Sequence, residues 1–155
     1  MMRKLGVFVA TCGYIGYVPF APGTFGSAAG LGVYALVRSS GSVAVELAAI
    51  AVLFAIGVWS GNEAEHHFGR VDPGPVVLDE VVGILITLAL LPVNVTGAIV
   101  GFLLFRALDV VKPWPSGRFE RLPGGLGVMA DDGMAAVYGN LAMRALIALA
   151  PGWLA

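Results

Sequence analysis

Five carboxylates stand at the borders of apolar stretches: the pairs Asp79-Glu80 and Asp131-Asp132, and the single Asp109. A carboxylate held against apolar helices costs free energy unless it is paired or bound to a cation. Basic neighbours along the chain are few, Arg106 and Lys112 foremost. Oxygen donors converging on one mouth suit Mg²⁺, which takes oxygen ligands and keeps waters and a substrate phosphate. The competing reading is an ordinary solvated rim of a helix bundle. Arg106, Asp109 and Lys112 recur at steps of three, so they share a helix face. Pro113 should end that helix at Lys112. The edge thus reads cation, anion, cation. Arginine and lysine hold phosphate oxygens while a carboxylate holds a metal; the plain alternative is a local salt-bridge ladder.

Two glycine-rich turns accompany these groups. Ala21-Pro22-Gly23-Thr24-Phe25-Gly26-Ser27 precedes an apolar run, and Pro22 and Thr24 are helix-start signals. A helix N-terminus with the Thr24 and Ser27 hydroxyls beside it is a candidate phosphate cradle. Gly124-Gly125-Leu126-Gly127 precedes Asp131-Asp132 and brings backbone close to whatever lies opposite. Neither run matches a nucleotide-binding P-loop, and close helix packing explains either one alone. Glu63, His66 and His67 have helix-compatible spacing, but no second histidine-bearing motif supports a metal site, and a solvated helix end is favoured. The single Cys12 forms no internal disulfide, and Val18 stands where a cysteine-phosphatase loop would need arginine. It is expected to be a buried small residue.

The elements that position these groups are apolar. The chain has 155 residues, 58% hydrophobic, with 22 glycines and only 12% charged. Average globular chains carry about 25% charged residues. The length fits one domain, 1–155. Disorder is excluded by composition, and nine basic against ten acidic residues give no face for nucleic acid. The expected class is all-α, a compact membrane-embedded helical bundle. The basic, apolar N-terminus superficially resembles a signal peptide; without a cleavage site and polar mature segment it is expected to be retained.

Charge alternates from turn to turn. Residues 63–80 and 106–121, with Asp131-Asp132, are charged, whereas 39–42, 92–95 and the tail after Pro151 are not. One helix should leave the charged side after Pro22 and end near Arg38, and a second should return from Val43 to Asn62. A hairpin should run from Val81 to Phe105, turning at Pro92-Val93-Asn94, and a last helix should leave after Asp132. Each hairpin leg has about 11 residues, roughly 16 Å, against a hydrocarbon core of roughly 30 Å. The hairpin is therefore expected to be re-entrant or buried inside the bundle. Four basic residues in 106–121, with Arg3 and Lys4, place the charged face in the cytoplasm. Arg38 suits a snorkelling position; spacing explains neither Glu46 nor Arg144.

The motifs taken together resemble the phosphatidylglycerophosphatase A family of bacterial membrane phosphatases. The matching strings are Pro19-x-Ala21-Pro22-Gly23-Thr24-x-Gly26-Ser27, then Asp72 with Val77-x-Asp79-Glu80-x-Val82-Gly83. Phe105-Arg106-x-x-Asp109-x-x-Lys112-Pro113-Trp114-Pro115 and Gly124-Gly125-x-Gly127-Val128-Met129-x-Asp131-Asp132 follow in the family's order. Ala136 departs from the pattern where a glycine is usual, and Ser116 where an aliphatic residue is. The resemblance implies a multi-pass protein of the bacterial cytoplasmic membrane. Its implied activity is Mg²⁺-dependent removal of the terminal phosphate of phosphatidylglycerophosphate, a phospholipid substrate, to give phosphatidylglycerol. Asp79, Glu80, Asp109, Asp131 and Asp132 are then the expected catalytic metal ligands. Arg106 and Lys112 would hold the phosphate, with Thr24 and Ser27 as secondary contacts. None of these motifs speaks to oligomeric state.

Rival chemistries lack their residues. Pro115-Ser116-Gly117 is followed by Arg118, not by the histidine of His-dependent lipid phosphatases. The rest of a CDP-alcohol transferase signature is missing around Asp132-Gly133, and no Asp-x-Asp nucleophile occurs. The alternative from another class is a non-enzymatic cation-binding membrane subunit or channel-like bundle, whose acidic ring would bind cations without hydrolysis.

Overall fold

The computed structural model describes residues 2–155, all helix and loop; no β-strand occurs among them. The helices are α1 (Met2–Ala10), α2 (Pro22–Arg38), α3 (Val43–Phe68), α4 (Leu78–Leu88), α5 (Val95–Val111), α6 (Ser116–Phe119), α7 (Gly125–Leu149) and α8 (Pro151–Leu154). Local chemistry sets the boundaries. Pro22 opens α2 at its first position, where its missing N–H costs nothing. Ser42 caps α3 by accepting the Val45 N–H at 3.4 Å, and Asn94 caps α5 by accepting that of Gly97 at 2.9 Å. Gly69 ends α3 in the left-handed conformation. α5 stops at Val111, as Pro113 demands, and Lys112 adopts a left-handed cap. α7 begins earlier than the sequence suggests, so Asp131 and Asp132 lie within the helix and not ahead of it.

α4 is the axis of the bundle. Nine of its eleven residues are buried, and it packs most heavily against α2 and α7. This settles the hairpin: its first leg is enclosed by protein. α3 is the converse case. It is long and apolar enough to cross a membrane, yet only 17% of its most apolar stretch is buried, so its side chains mostly face outward. Apolar side chains also project from α2 and α5, among them Leu36, Ile99, Leu103 and Val110. A continuous cluster around Ile84, Leu85, Leu88, Phe105 and Met143 fills the interior.

Glycines set how closely α4 is approached. Gly26 and Gly30 of α2 lie against Val77, Val81 and Ile84, with no room for a Cβ at Gly26. Small residues spaced along one face let helix backbones meet at this distance.

The α4–α5 turn is partly buried, with Leu91 enclosed while Leu90 and Pro92 stay exposed, and its sheltered backbone groups need partners. Asn140 of α7 supplies donors: its amide reaches the carbonyls of Ile86 (3.1 Å), Thr87 (3.1 Å) and Ala89 (2.9 Å). Arg144 Nε holds that amide in place by donating to Asn140 Oδ1 at 2.9 Å. Glu46 of α3 supplies an acceptor for the Leu90 N–H at 3.0 Å, and its other oxygen faces Arg38 at 3.5 Å. The residues that spacing left unexplained are thus the clasp of the turn. Asn140→Ala should lower stability by about 1–3 kcal/mol, the usual cost of removing hydrogen bonds to partly buried carbonyls. The check is the thermal midpoint in detergent; an unchanged midpoint would mean the carbonyls find other donors.

Candidate functional site

Four chain segments meet at the charged end of the bundle. α4 contributes Asp79 and Glu80 from its first turn, and α7 contributes Asp131 and Asp132 about two turns in. The last turns of α5 carry Arg106 and Asp109, with Lys112 at its cap. The first turn of α2 closes one wall: a Cβ on Gly23 would collide with the Glu80 carboxylate and crowd the Arg106 guanidinium. Any side chain at this position would displace the Glu80 and Arg106 head groups from where they now sit.

The five sequence-predicted carboxylates divide into two sets. Asp79, Glu80 and Asp132 each offer an oxygen within 4.8 Å of the others. Asp109 accepts from Arg106 at 2.6 Å, and Asp131 accepts from Lys112. Arg106 also faces Glu80 Oε1 at 3.7 Å, and Lys112 faces Glu120 at 3.5 Å. Helix geometry explains the division. Consecutive residues on α7 point about 100° apart, so Asp132 turns toward α4 while Asp131 turns toward Lys112.

Burial makes the first set demanding. Asp79 and Asp132 are only 6% and 5% exposed. Among the described residues, Asp79 Oδ1, Glu80 Oε2, Asp131 Oδ1 and Asp132 Oδ2 are buried without a hydrogen-bond partner. Burial, then the neighbouring Glu80, raises the Asp79 carboxyl well above the usual range. Burial pushes Glu80 up to about 7; its hydrogen bond with Asp79 acts the other way, and the charges of Asp132 and Asp109 raise it again. Several unsatisfied carboxylate oxygens facing one another, with Arg106 the near cation, form a donor set that fits a hard divalent ion.

Ser27 is buried and donates to the Gly23 carbonyl at 2.9 Å, so its hydroxyl braces the α2 turn. Thr24 is exposed at the same helix start. The second glycine run meets α3: Gly61 and Gly125 touch through their backbones, and Asn62 Oδ1 accepts the Gly125 N–H at 2.8 Å. Asn62 therefore fixes the start of the helix that carries Asp131 and Asp132. Sequence reasoning missed it; a polar residue at the end of an apolar span was the available signal. Cys12 is half-buried, and its thiol is pushed up to about 12 by burial and then by Asp79 and Glu80, which makes it unreactive. His66 and His67 are exposed at the end of α3, outside the Asp79–Glu80–Asp132 group.

A family model described as "Phosphatidylglycerophosphatase A" matches residues 8–147. Three curated relatives align over most of their length. A Bacteroides thetaiotaomicron protein named "Putative phosphatidylinositol-3-phosphatase" is 39% identical over 86% of this chain and 88% of its own. Proteins named phosphatidylglycerophosphatase A from Haemophilus influenzae and Escherichia coli are 35% and 37% identical. They cover 84% and 79% of this chain and 82% and 72% of theirs. No solved structure matches.

Raised carboxyl values carry a pH signature. The folded metal-free protein holds a proton on Glu80 that the unfolded chain releases above its ordinary 4.5. Between there and about 7 the unfolded state binds fewer protons, so stability falls as pH rises. Thermal midpoints in chelator should decline across this window, and Glu80→Gln should flatten the decline. An equal slope in the variant would contradict the buried-proton account.

Proposed function

The chain belongs to the phosphatidylglycerophosphatase A family, and from that premise we propose that it hydrolyses the terminal phosphate monoester of phosphatidylglycerophosphate, giving phosphatidylglycerol and phosphate in phospholipid biosynthesis. The observation that carries the reading is the group of buried carboxylates with unpartnered oxygens beside two paired cations. Asp79, Glu80 and Asp132 would hold Mg²⁺. Asp109 and Asp131 then act mainly through the cations they touch, with the free Oδ1 of Asp131 still turned inward.

A bound divalent ion supplies Lewis-acid charge to the phosphoryl oxygens. The chain's own residues do the rest. Arg106, steered by Asp109, presents its guanidinium fork to the phosphate oxygens. Lys112, held by Asp131, adds a point charge from the opposite end of the same helix edge. The exposed Thr24 hydroxyl at the start of α2 adds a donor along one wall.

The outward apolar face of α3 supports membrane association. We place α2, α3, α5 and α7 across the bacterial cytoplasmic membrane, with α4 enclosed and the carboxylate end at the cytoplasmic face. Exposed Tyr14, Tyr17, Phe20 and Trp114 on one side and Trp153 on the other fit interfacial aromatic belts. The acyl chains would stay in the bilayer while the headgroup reaches the mouth.

Phosphate release by purified protein in detergent, with and without Mg²⁺, tests the reading. Asp132→Asn should lower kcat by about 100-fold or more, the scale of losing a main electrostatic contributor, with folding retained. Phosphatidylinositol 3-phosphate assayed in parallel separates the two substrates that the relatives' names suggest. Release that is unchanged in Asp132→Asn would remove the carboxylate site, and none from any lipid phosphate would favour the non-enzymatic bundle. Metal addition should also raise the thermal midpoint more at pH 8 than at pH 5, because liganding carboxylates must be deprotonated; a shift equal at both would argue against binding there.

A further inference from the structure

The end of the bundle away from the carboxylates holds a lateral groove between α2 and α5 that the proposed reaction does not use. Its volume is about 560 Å³, within the roughly 300–1,000 Å³ of small-molecule sites. Leu31, Ala35, Val95, Ala98 and Ile99 make it apolar along its length. Its polar lining is confined to Tyr34, Arg38, Ser39 and Asn94. Two of these are already engaged. Ser39 Oγ donates to the Leu36 carbonyl at 2.6 Å. Asn94 accepts from Gly97 at 2.9 Å and donates to the Trp153 carbonyl at 3.1 Å.

The other two are available. The Arg38 side chain is 43% exposed, and among the described residues it bonds only to Glu46, through Nη1 at 3.5 Å. Tyr34 is 7% exposed, and its hydroxyl is buried with no partner, a cost that a nearby ligand oxygen would relieve. Glu46 does not compete for a ligand: it is 3% exposed, and its oxygens are taken by Arg38 and the Leu90 N–H. A free guanidinium edge and a hydroxyl beside an apolar groove call for an anionic oxygen group joined to a hydrocarbon chain.

We propose that this groove binds a phospholipid with a negatively charged phosphodiester headgroup, the phosphate on Arg38 and near Tyr34, one acyl chain along Leu31, Ala98 and Ile99. It is a second site, distinct from the reaction centre. Gly23, at the carboxylates, and Arg38 are 15 residues apart on one helix, or roughly 22 Å, so one headgroup cannot serve both. The inference stands apart from the proposed hydrolysis, since it concerns binding alone.

Native mass spectrometry of the detergent-solubilised protein tests it, with dioleoyl phosphatidylglycerol, dioleoyl phosphatidylcholine and inorganic phosphate as probes. One phosphatidylglycerol should be retained at least tenfold more than phosphatidylcholine. Ala98→Trp, which fills the groove, should lower that retention at least tenfold, and Tyr34→Phe should lower it severalfold. Asp132→Asn should leave it unchanged. Equal retention of phosphatidylcholine, or phosphate competing away the lipid by itself, would overturn the proposal. So would a lipid lost in Asp132→Asn but kept in the groove variants, which would place it at the mouth. If Ala98→Trp fails to fold, Tyr34→Phe decides, because it removes one oxygen and leaves the packing intact.

Discussion

Three carboxyl groups with oxygens within 4.8 Å of one another repel whenever they are ionised together, and the surrounding fold must hold them in place against that repulsion. Nothing local to either acidic pair does so. Asp79 and Glu80 begin α4, Asp132 sits inside α7, and these helices are brought together by apolar burial along their whole shared length. Hydrophobic packing is therefore what concentrates the charge. The cations are arranged at the margin: Arg106 reaches Glu80 only at 3.7 Å and is tied more closely to Asp109. Buried oxygens are left with no protein partner, and that deficit is the chemical basis for expecting a divalent ion there.

The opposite end of α4 poses the complementary problem of backbone groups in an apolar setting. Side chains from neighbouring helices meet it. Asn140 satisfies the last carbonyls of α4, Arg144 orients Asn140, and Glu46 accepts the Leu90 N–H. Asn140 and Asp132 are eight residues apart on α7, roughly 12 Å. One helix thus secures the turn at one end of α4 and completes the carboxylate group at the other. Displacing α7 along α4 would disturb both, which couples the integrity of the turn to the geometry of the site. Asn62 and the Gly61–Gly125 contact resist such displacement by fixing where α7 starts.

Much of the architecture was legible in the residues. Pro22, the start at Val43 and Pro113 mark helix boundaries that the structure keeps, because capping and proline sterics act within a few residues, although α3 runs on past the expected end at Asn62 to Phe68. The segregation of charge into one set of turns identified the end where Asp79, Glu80 and Asp132 gather. The shortness of the leg expected between Val81 and the Pro92 turn already argued against a full span, and α4 is as short, Leu78–Leu88. The start of α7 was misplaced because Gly124 through Gly127 read as a loop, whereas contact with α3 stabilises those glycines as the first turn of a helix.

The sequence by itself determined the helical class, the two chemically different ends and the family, since composition, periodicity and motif order are properties of the chain alone. Tertiary structure decided the rest. It separated Asp132 from Asp131 and joined the former to Asp79 and Glu80. It turned Glu46 and Arg144 from unexplained polar residues into the clasp of a turn, with Asn140 between them as a partner the chain had not announced. The physical reason is range. Helical propensity and capping are settled among near neighbours, but the partner of a buried polar group is whichever distant side chain packing delivers to it.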